Sequence, residues 1–307
     1  MKQTSKLMLA GLCLAFTACQ KPDGSIMPKA SGTHSAARLG NGGCKLSLTD
    51  DGSFQAFNYN ADGSPASAVV DGNQVTYDEI KDGLITKLSY GDETVSRQIT
   101  VEYDQHRRPV KAFKSVSSEF FNYTTNFTVT YNAQGRLATL VADFDGDLEV
   151  TMAHRLVYSP QGNVLEHYIA EYGGPEFRFA SLSQYDTRKN FAEEVALHPI
   201  NLFYEPAGIA RLQSTNNAGR IDLLAENSYY FGTFIGWDEY INLAYSPQGY
   251  PTQVQNNYDY NYVTYDFHII DSWQFNLSYL CPGETAPGRV PNARNFGRNK
   301  MPAKMYR

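Results

Sequence analysis

The sequence predicts an all-β protein, a large antiparallel meander of about 14 to 18 strands forming a closed or flattened β-barrel, with one short helix near residues 190–197. Three observations carry this. A hairpin unit recurs: an extended run ending in Tyr, a four-residue turn containing Gly, then a second extended run, clearest at 131–137, 158–164 and 245–250. Tyr103, Tyr131, Tyr158 and Tyr185 follow one another at intervals of 28, 27 and 27 residues, and a fixed period means stacked copies of one supersecondary unit. Apolar and polar residues also alternate with period two, and Cys44 and Cys281 bracket the whole array.

In chain order, residues 1–18 read as a lipoprotein signal peptide: Lys2 and Lys6 form a charged start, 7–16 an apolar stretch, and Thr17-Ala18 a small-residue cleavage site. An apolar stretch of about ten residues is too short to cross a bilayer as a helix. Phe16-Thr17-Ala18-Cys19 resembles the bacterial lipobox, with Phe16 where Leu is usual. That resemblance implies acyl chains, such as palmitate, on Cys19. It implies a protein held to a membrane of the cell envelope, the outer membrane by preference, on a face the sequence leaves open. Residues 19–43, rich in Gly, Ser, Pro and Ala, read as a flexible tether.

Removing residues 1–18 takes two positive charges from a formal net charge of −6, leaving −8. A mildly acidic, Tyr-rich chain has no electrostatic footprint for nucleic acid. Residues 44–281 form the barrel domain, and 282–307 a Pro/Gly-rich tail whose six cations against Glu284 give a local charge of +5. The tail reads as a solvated segment, or as one lying on the acidic body or on anionic headgroups.

Cys13 leaves with the signal and Cys19 is committed to acylation, so Cys44 and Cys281 remain. In an oxidising compartment they either pair or stay as two thiols. Pairing makes the first and last strands neighbours and requires a closed barrel with an even strand count. Closing so long a loop contributes about 5 kcal/mol in the chain-entropy model.

Within the array, Phe127, Val129 and Tyr131 alternate with Thr128 and Thr130, and Trp273, Phe275, Leu277 and Tyr279 repeat the pattern. One polar face marks an antiparallel sheet wet on one side. The apolar face points inward in a soluble barrel or outward to lipid in a membrane one. The Glu, Arg and Thr of the polar face, and the long tail after the last strand, favour the former. A circular barrel of this strand count leaves an unfilled interior, so it flattens, holds water or binds something. Turns fall at Asp-Gly steps such as Asp82-Gly83 and Asp145-Gly146. Asn190 and Glu193 have capping-box spacing, and His198-Pro199 ends the helix this predicts. That segment is a plug, a lid or a plain connection.

The Tyr-turn-Gly units, Tyr185-Asp186 followed by Asn190, and the lipobox together resemble an uncharacterised family of envelope lipoproteins of gut-type Gram-negative anaerobes with a porin-like β-barrel fold. The hairpins are also similar to the tyrosine-aspartate repeats of Rhs-type proteins, which wind into hollow shells. The resemblance spans most of 44–280 and implies a fold; it carries over no functional residues.

Chemistry is sparse. The six histidines sit in no metal-binding spacing, and no nucleophile elbow or phosphate-cradling loop occurs, so neither enzyme nor metal nor cofactor is expected. His154 and His167 read as sheet histidines. Asp143, Asp145, Asp147 and Glu149 crowd one turn, read as a solvated hairpin rather than a calcium loop. The aromatic density of 229–265 is the candidate binding surface: Tyr230, Trp237, Tyr240, Tyr258, Tyr260 and Tyr262, with Tyr258, Tyr260 and Tyr262 forming one ladder. Flat faces with polar tips suit a glycan or peptide ligand, whereas aromatic cross-strand pairs also simply stabilise sheets. The expected function is a lipid-anchored, non-enzymatic barrel that binds a ligand or partner, or alternatively a structural component of the envelope.

Overall fold

Sixteen antiparallel strands, each hydrogen-bonded to its neighbours in sequence, make up the computed structural model. It describes residues 44–49, 55–60, 64–70, 73–145, 150–192, 195–203, 209–228 and 232–281. The signal, Cys19, tether, tail and Tyr230 lie outside these. The first eight strands are β1 (Lys45–Thr49), β2 (Gln55–Tyr59), β3 (Pro65–Val70), β4 (Asn73–Lys81), β5 (Leu84–Gly91), β6 (Val95–Tyr103), β7 (Pro109–Ser118) and β8 (Asn122–Tyr131). The rest are β9 (Leu137–Asp145), β10 (Val150–Tyr158), β11 (Val164–Glu171), β12 (Phe177–Ser183), β13 (Arg220–Ser228), β14 (Gly232–Tyr245), β15 (Pro251–Tyr262) and β16 (Phe267–Leu280). β1 pairs with β16 through Lys45↔Leu280 and Leu46↔Tyr279, so the sheet closes into a barrel. The count is even, and the Cys44–Cys281 disulfide stands at this seam with a sequence separation of 237.

The repeated Tyr unit is a clasp between successive hairpins. In the β6–β7, β8–β9 and β14–β15 hairpins the Tyr follows a register shift, and the residue after it receives the chain back across the loop. Asp104 N–H donates to Arg108 O, Asn132 N–H to Arg136 O, and Ser246 N–H to Tyr250 O, at 2.8–2.9 Å. The left-handed position of the loop falls on Arg107, Gly135, Gly162 and Gly249, which is why Gly recurs there. In the four periodic units the Tyr hydroxyl then reaches the unit before it, whereas Tyr245 donates instead to Asp186 Oδ2 at 3.1 Å. Tyr103 donates to Ile85 O, Tyr131 to Pro109 O and Tyr158 to Leu137 O, each at 2.7 Å, and Tyr185 to Val164 O. Arg108 stacks 4.2 Å from the Tyr131 ring centroid. Burial pushes the Tyr103, Tyr131 and Tyr158 hydroxyls well above the usual range, so they remain donors. Phe in these places keeps the ring and removes this donor from the preceding unit's carbonyl.

The apolar face is lumenal. One contiguous buried cluster contains Phe57 of β2, Ile99 of β6, Leu140 of β9, Ile169 of β11, Phe234 of β14 and Phe275 of β16, and strands spread round a closed barrel share a cluster only through its interior. Outward positions such as Thr100, Glu102, Lys111, Thr128 and Thr130 are exposed.

Part of the interior is occupied by the protein's own chain, which decides for the plug among the three readings of the mid-chain segment. The connection between β12 and β13 carries α1 (Pro199–Phe203) and α2 (Ile209–Leu212), and Ile200, Leu202, Phe203 and Ile209 are fully buried. Phe203 packs 5.0 Å from Phe127 of β8, while His198 packs 5.3 Å from Phe57 of β2. Arg211 lies 3.8 Å from the ring centroid of Tyr240 on β14. This segment is a plug.

The helix predicted over 190–197 is displaced. Asn190 Oδ1 accepts from the Ala192 N–H while its Nδ2 donates to Arg211 O and Ser214 O, so the side chain makes an Asx turn and ties the plug together rather than capping a helix. The helix begins where a stop was expected, because Pro is suited to a first helical position. His198 Nδ1 accepts from the Ile200 N–H at 3.2 Å, which leaves the proton on Nε2, facing the Tyr77 hydroxyl at 3.1 Å.

Candidate functional site

Strands β14 to β16, with 14, 12 and 14 residues, are the longest in the barrel, while β1 and β2 have five each. Period two divides their side chains sharply. On β14, Phe234, Gly236 and Asp238 are buried inward, which sends Ile235, Trp237, Glu239 and Ile241 outward.

Directly opposite residues share a face, so rows can be followed across strands. Ser181, Asp222, Trp237, Asp259 and Ile270 form one outward row from β12 to β16. Leu224, Ile235, Asn261 and His268 form the next. These two rows as far as Asp259 and His268, with Arg178, border a surface groove of about 550 Å³, within the size range of small-ligand sites. Its chemistry is mixed. Trp237 and Ile235, the latter 51% exposed, supply apolar surface. Arg220 stacks 4.2 Å from the Trp237 ring centroid and donates to Asp222 Oδ1 at 2.8 Å. His268 Nε2 lies 2.7 Å from Asp259 Oδ1, and Arg178 pairs with Glu166 at 3.3 Å. The groove holds indole, carboxylate, amide, imidazole and guanidinium groups in one place, a set suited to a polar ligand with one flat apolar side.

The structure divides the predicted aromatic surface. Tyr258, Tyr260 and Tyr262 do form one ladder, with Tyr258 and Tyr260 ring centroids 4.8 Å apart, but on the inward face. Phe234 meets Tyr260 and Tyr262 at 5.5 and 4.8 Å, and Trp273 meets Tyr258 at 5.0 Å. Tyr260 donates to Asp238 Oδ1 at 2.6 Å, and Asn256 Nδ2 donates to the same oxygen at 3.3 Å. Burial raises the Asp238 carboxyl above its usual range, against the pull of those two donors. Tyr240 is inward too, under Arg211. Of the described candidates, only Trp237 faces outward, so Trp237 and the ladder are not one surface.

His154 and His167 face each other, with Nδ1 and Nε2 3.0 Å apart, both almost fully buried. Among the described residues, His154 Nε2 and His167 Nδ1 have no partner. Burial lowers both, His154 to about 4, so the pair is neutral and its satisfaction is partial. Asp143 lies on β9, and residues 146–149 of the acidic turn are outside the described residues. Among the described residues no three His, Cys, Asp or Glu side chains cluster as metal ligands.

Reading the aromatics alone missed Asp222, Asp259, Asn261 and His268. The pattern that marks two of them, Asp259 and Asn261, is the other parity of β15, where Gln253, Gln255, Asn257, Asp259 and Asn261 alternate with the tyrosines.

No protein-family model matches this chain, and neither does any curated protein. Among solved structures it is similar to a porin-like protein from Bacteroides uniformis, at 11% identity and a TM-score of 0.44, covering 77% of this chain and 95% of that one. A porin-like protein from Bacteroides vulgatus is similar at 11% identity and a TM-score of 0.45, over 76% and 98% of the two chains.

Proposed function

We propose that this protein is a non-enzymatic, ligand-binding β-barrel held to the cell envelope by acyl chains on Cys19, with its binding surface on the outward face of β12 to β16. The observation that carries the reading is the groove around Trp237, which gathers an indole, two carboxylates, an amide, an imidazole and a guanidinium on the outward face. Where the plug lies, the lumen is occupied by its own Phe203, Ile200 and Ile209, which favours the outward face for this role. Export is supported by the lipobox resemblance and by the Cys44–Cys281 disulfide, which suits an oxidising compartment.

The test of binding is a glycan and peptide array probed with the mature protein and with Trp237→Ala. Retention of every array signal in the variant contradicts the reading. Recovery of the mature protein in the soluble fraction, without acyl chains on Cys19, contradicts the anchor. The second reading, an assembly component of the envelope, draws on the exposed apolar side chains of Ile235 and Ile270, the latter 68% exposed. It expects a retained protein partner whose capture is lost on Ile270→Ser and unaffected by Trp237→Ala.

A further inference from the structure

We propose that the groove at Trp237 is one end of a longer track on the outward face of β14 and β15, and that the track takes an extended, uncharged oligosaccharide. This rests on the reading of the groove as a ligand site and gives that ligand a chemical class.

The track follows from the strand register. On β14 the outward positions carry Ile235, Trp237 and Ile241, with Glu239 among them. Beside them on β15 stand Gln255, Asn257 and Asp259, directly opposite Ile241, Glu239 and Trp237. Gln253 and Asn261 extend that rail at its two ends. A pyranose has the complementary form: a C–H face that packs on indole or alkyl surface, and a belt of hydroxyls that both donate and accept. Carboxamides do both, whereas Lys and Arg only donate. The sequence from 251 to 280 contains no Lys or Arg, and the two arginines at the groove end are already paired, Arg220 with Asp222 and Arg178 with Glu166. With Asp259 and Glu239 on the track, an anionic polymer therefore finds more repulsion than pairing along the β15 rail.

The amides are held in place before any ligand arrives. Gln255 Nε2 donates to Asn257 Oδ1 at 2.9 Å, Ser272 Oγ donates to the same oxygen at 2.7 Å, and Asn257 Nδ2 donates to Glu239 Oε2 at 2.9 Å. Fixing these side chains in advance lowers the entropy lost on binding. From Gln253 to Asn261 the rail runs about 27 Å, room for about five pyranose rings end to end.

A peptide strand is the poorer fit. Extended peptides bind by adding to a sheet edge through main-chain hydrogen bonds. β14 and β15 are both paired on each side, to β13 and β16 as well as to one another, so this face offers side chains only.

The experiment is isothermal titration of the mature protein with neutral gluco-, manno- and xylo-oligosaccharides of one to seven units, with an oligogalacturonate as the anionic control. Affinity is expected to rise about tenfold or more from two units to five and then level off. The Gln255→Ala/Asn257→Ala variant is expected to weaken the pentamer about fivefold or more and leave the dimer unchanged, and Trp237→Ala to abolish both. A length-independent affinity, or a pentamer indifferent to the double variant, overturns the track and leaves the groove standing. Binding of oligogalacturonate or of an array peptide in place of every neutral saccharide, still lost on Trp237→Ala, overturns the ligand class alone. Binding that survives Trp237→Ala overturns both readings, and no binding by any neutral saccharide overturns the proposal.

Discussion

Replacing Tyr158 with Phe removes one oxygen atom and tests whether the repeat works as a clasp. The Tyr158 hydroxyl is buried and donates to Leu137 O at 2.7 Å, across the interval that separates one hairpin unit from the next. A net intramolecular hydrogen bond contributes about 1 kcal/mol, and a carbonyl left buried with less than its full complement adds to the loss, so the substitution is expected to cost about 1–2 kcal/mol. With a urea dependence of about 3 kcal/mol/M, the unfolding midpoint falls by about 0.5 M at unchanged slope. Tyr265, 65% exposed, is the control, and Tyr265→Phe is expected to leave the midpoint where it was. Tyr131→Phe, whose hydroxyl binds Pro109 O one unit earlier, is expected to match Tyr158→Phe. Equal midpoints for Tyr158→Phe and Tyr265→Phe refute the clasp and reduce the repeated Tyr to a packing residue.

Three further outcomes follow from the seam, the plug and the buried imidazoles. Cys281→Ser is expected to lower stability by up to about 5 kcal/mol, since the bond closes almost the whole domain, with non-reducing electrophoresis confirming the pair in the wild type. Phe203→Ala is expected to cost about 3–5 kcal/mol in chemical unfolding, because the ring is fully buried against Phe127. His154 and His198 are lowered by burial from 6.5 to about 4 and about 3. A histidine whose folded value lies below its unfolded one gives its full contribution above pH 6.5 and loses it as pH falls toward the folded value. Unfolding midpoints are therefore expected to fall steadily from pH 6.5 to 4, by roughly 3 kcal/mol for His154 alone, and to fall less steeply in His154→Phe.

The architecture was legible because its cause is local. A Tyr, a short Gly turn and period-two alternation are all that one clasped hairpin needs, and repeating it predicts a meander of about 14 to 18 strands. The count of sixteen, the closure and the Cys44–Cys281 bond depend on long-range pairing that the local pattern does not contain. The plug was legible only as one of three readings of the mid-chain segment, and its helices were misplaced. Five residues of α1 and four of α2 are too short for helical periodicity, and Asn190, which reads as a cap, spends its side chain on Arg211 O and Ser214 O. The site was legible in part. Trp237 and Tyr240 stand three residues apart on one strand, so parity alone places them on opposite faces, yet the density of rings in 229–265 drew them into one surface. Which face looks outward was not in the local pattern, because β14 and β15 carry aromatic residues on one side and amides on the other, and only closure around the plug decides between them.

The chain contains two tryptophans, Trp237 in the outward groove and Trp273 on the inward ladder, and each serves as the single reporter once the other is replaced. Fluorescence titration with a neutral pentasaccharide is expected to shift the emission of Trp237 in the Trp273→Phe protein and to leave Trp273 unchanged in the Trp237→Phe protein. The opposite result, a response from Trp273 with Trp237 silent, contradicts an outward binding face and places the ligand against the tyrosine ladder.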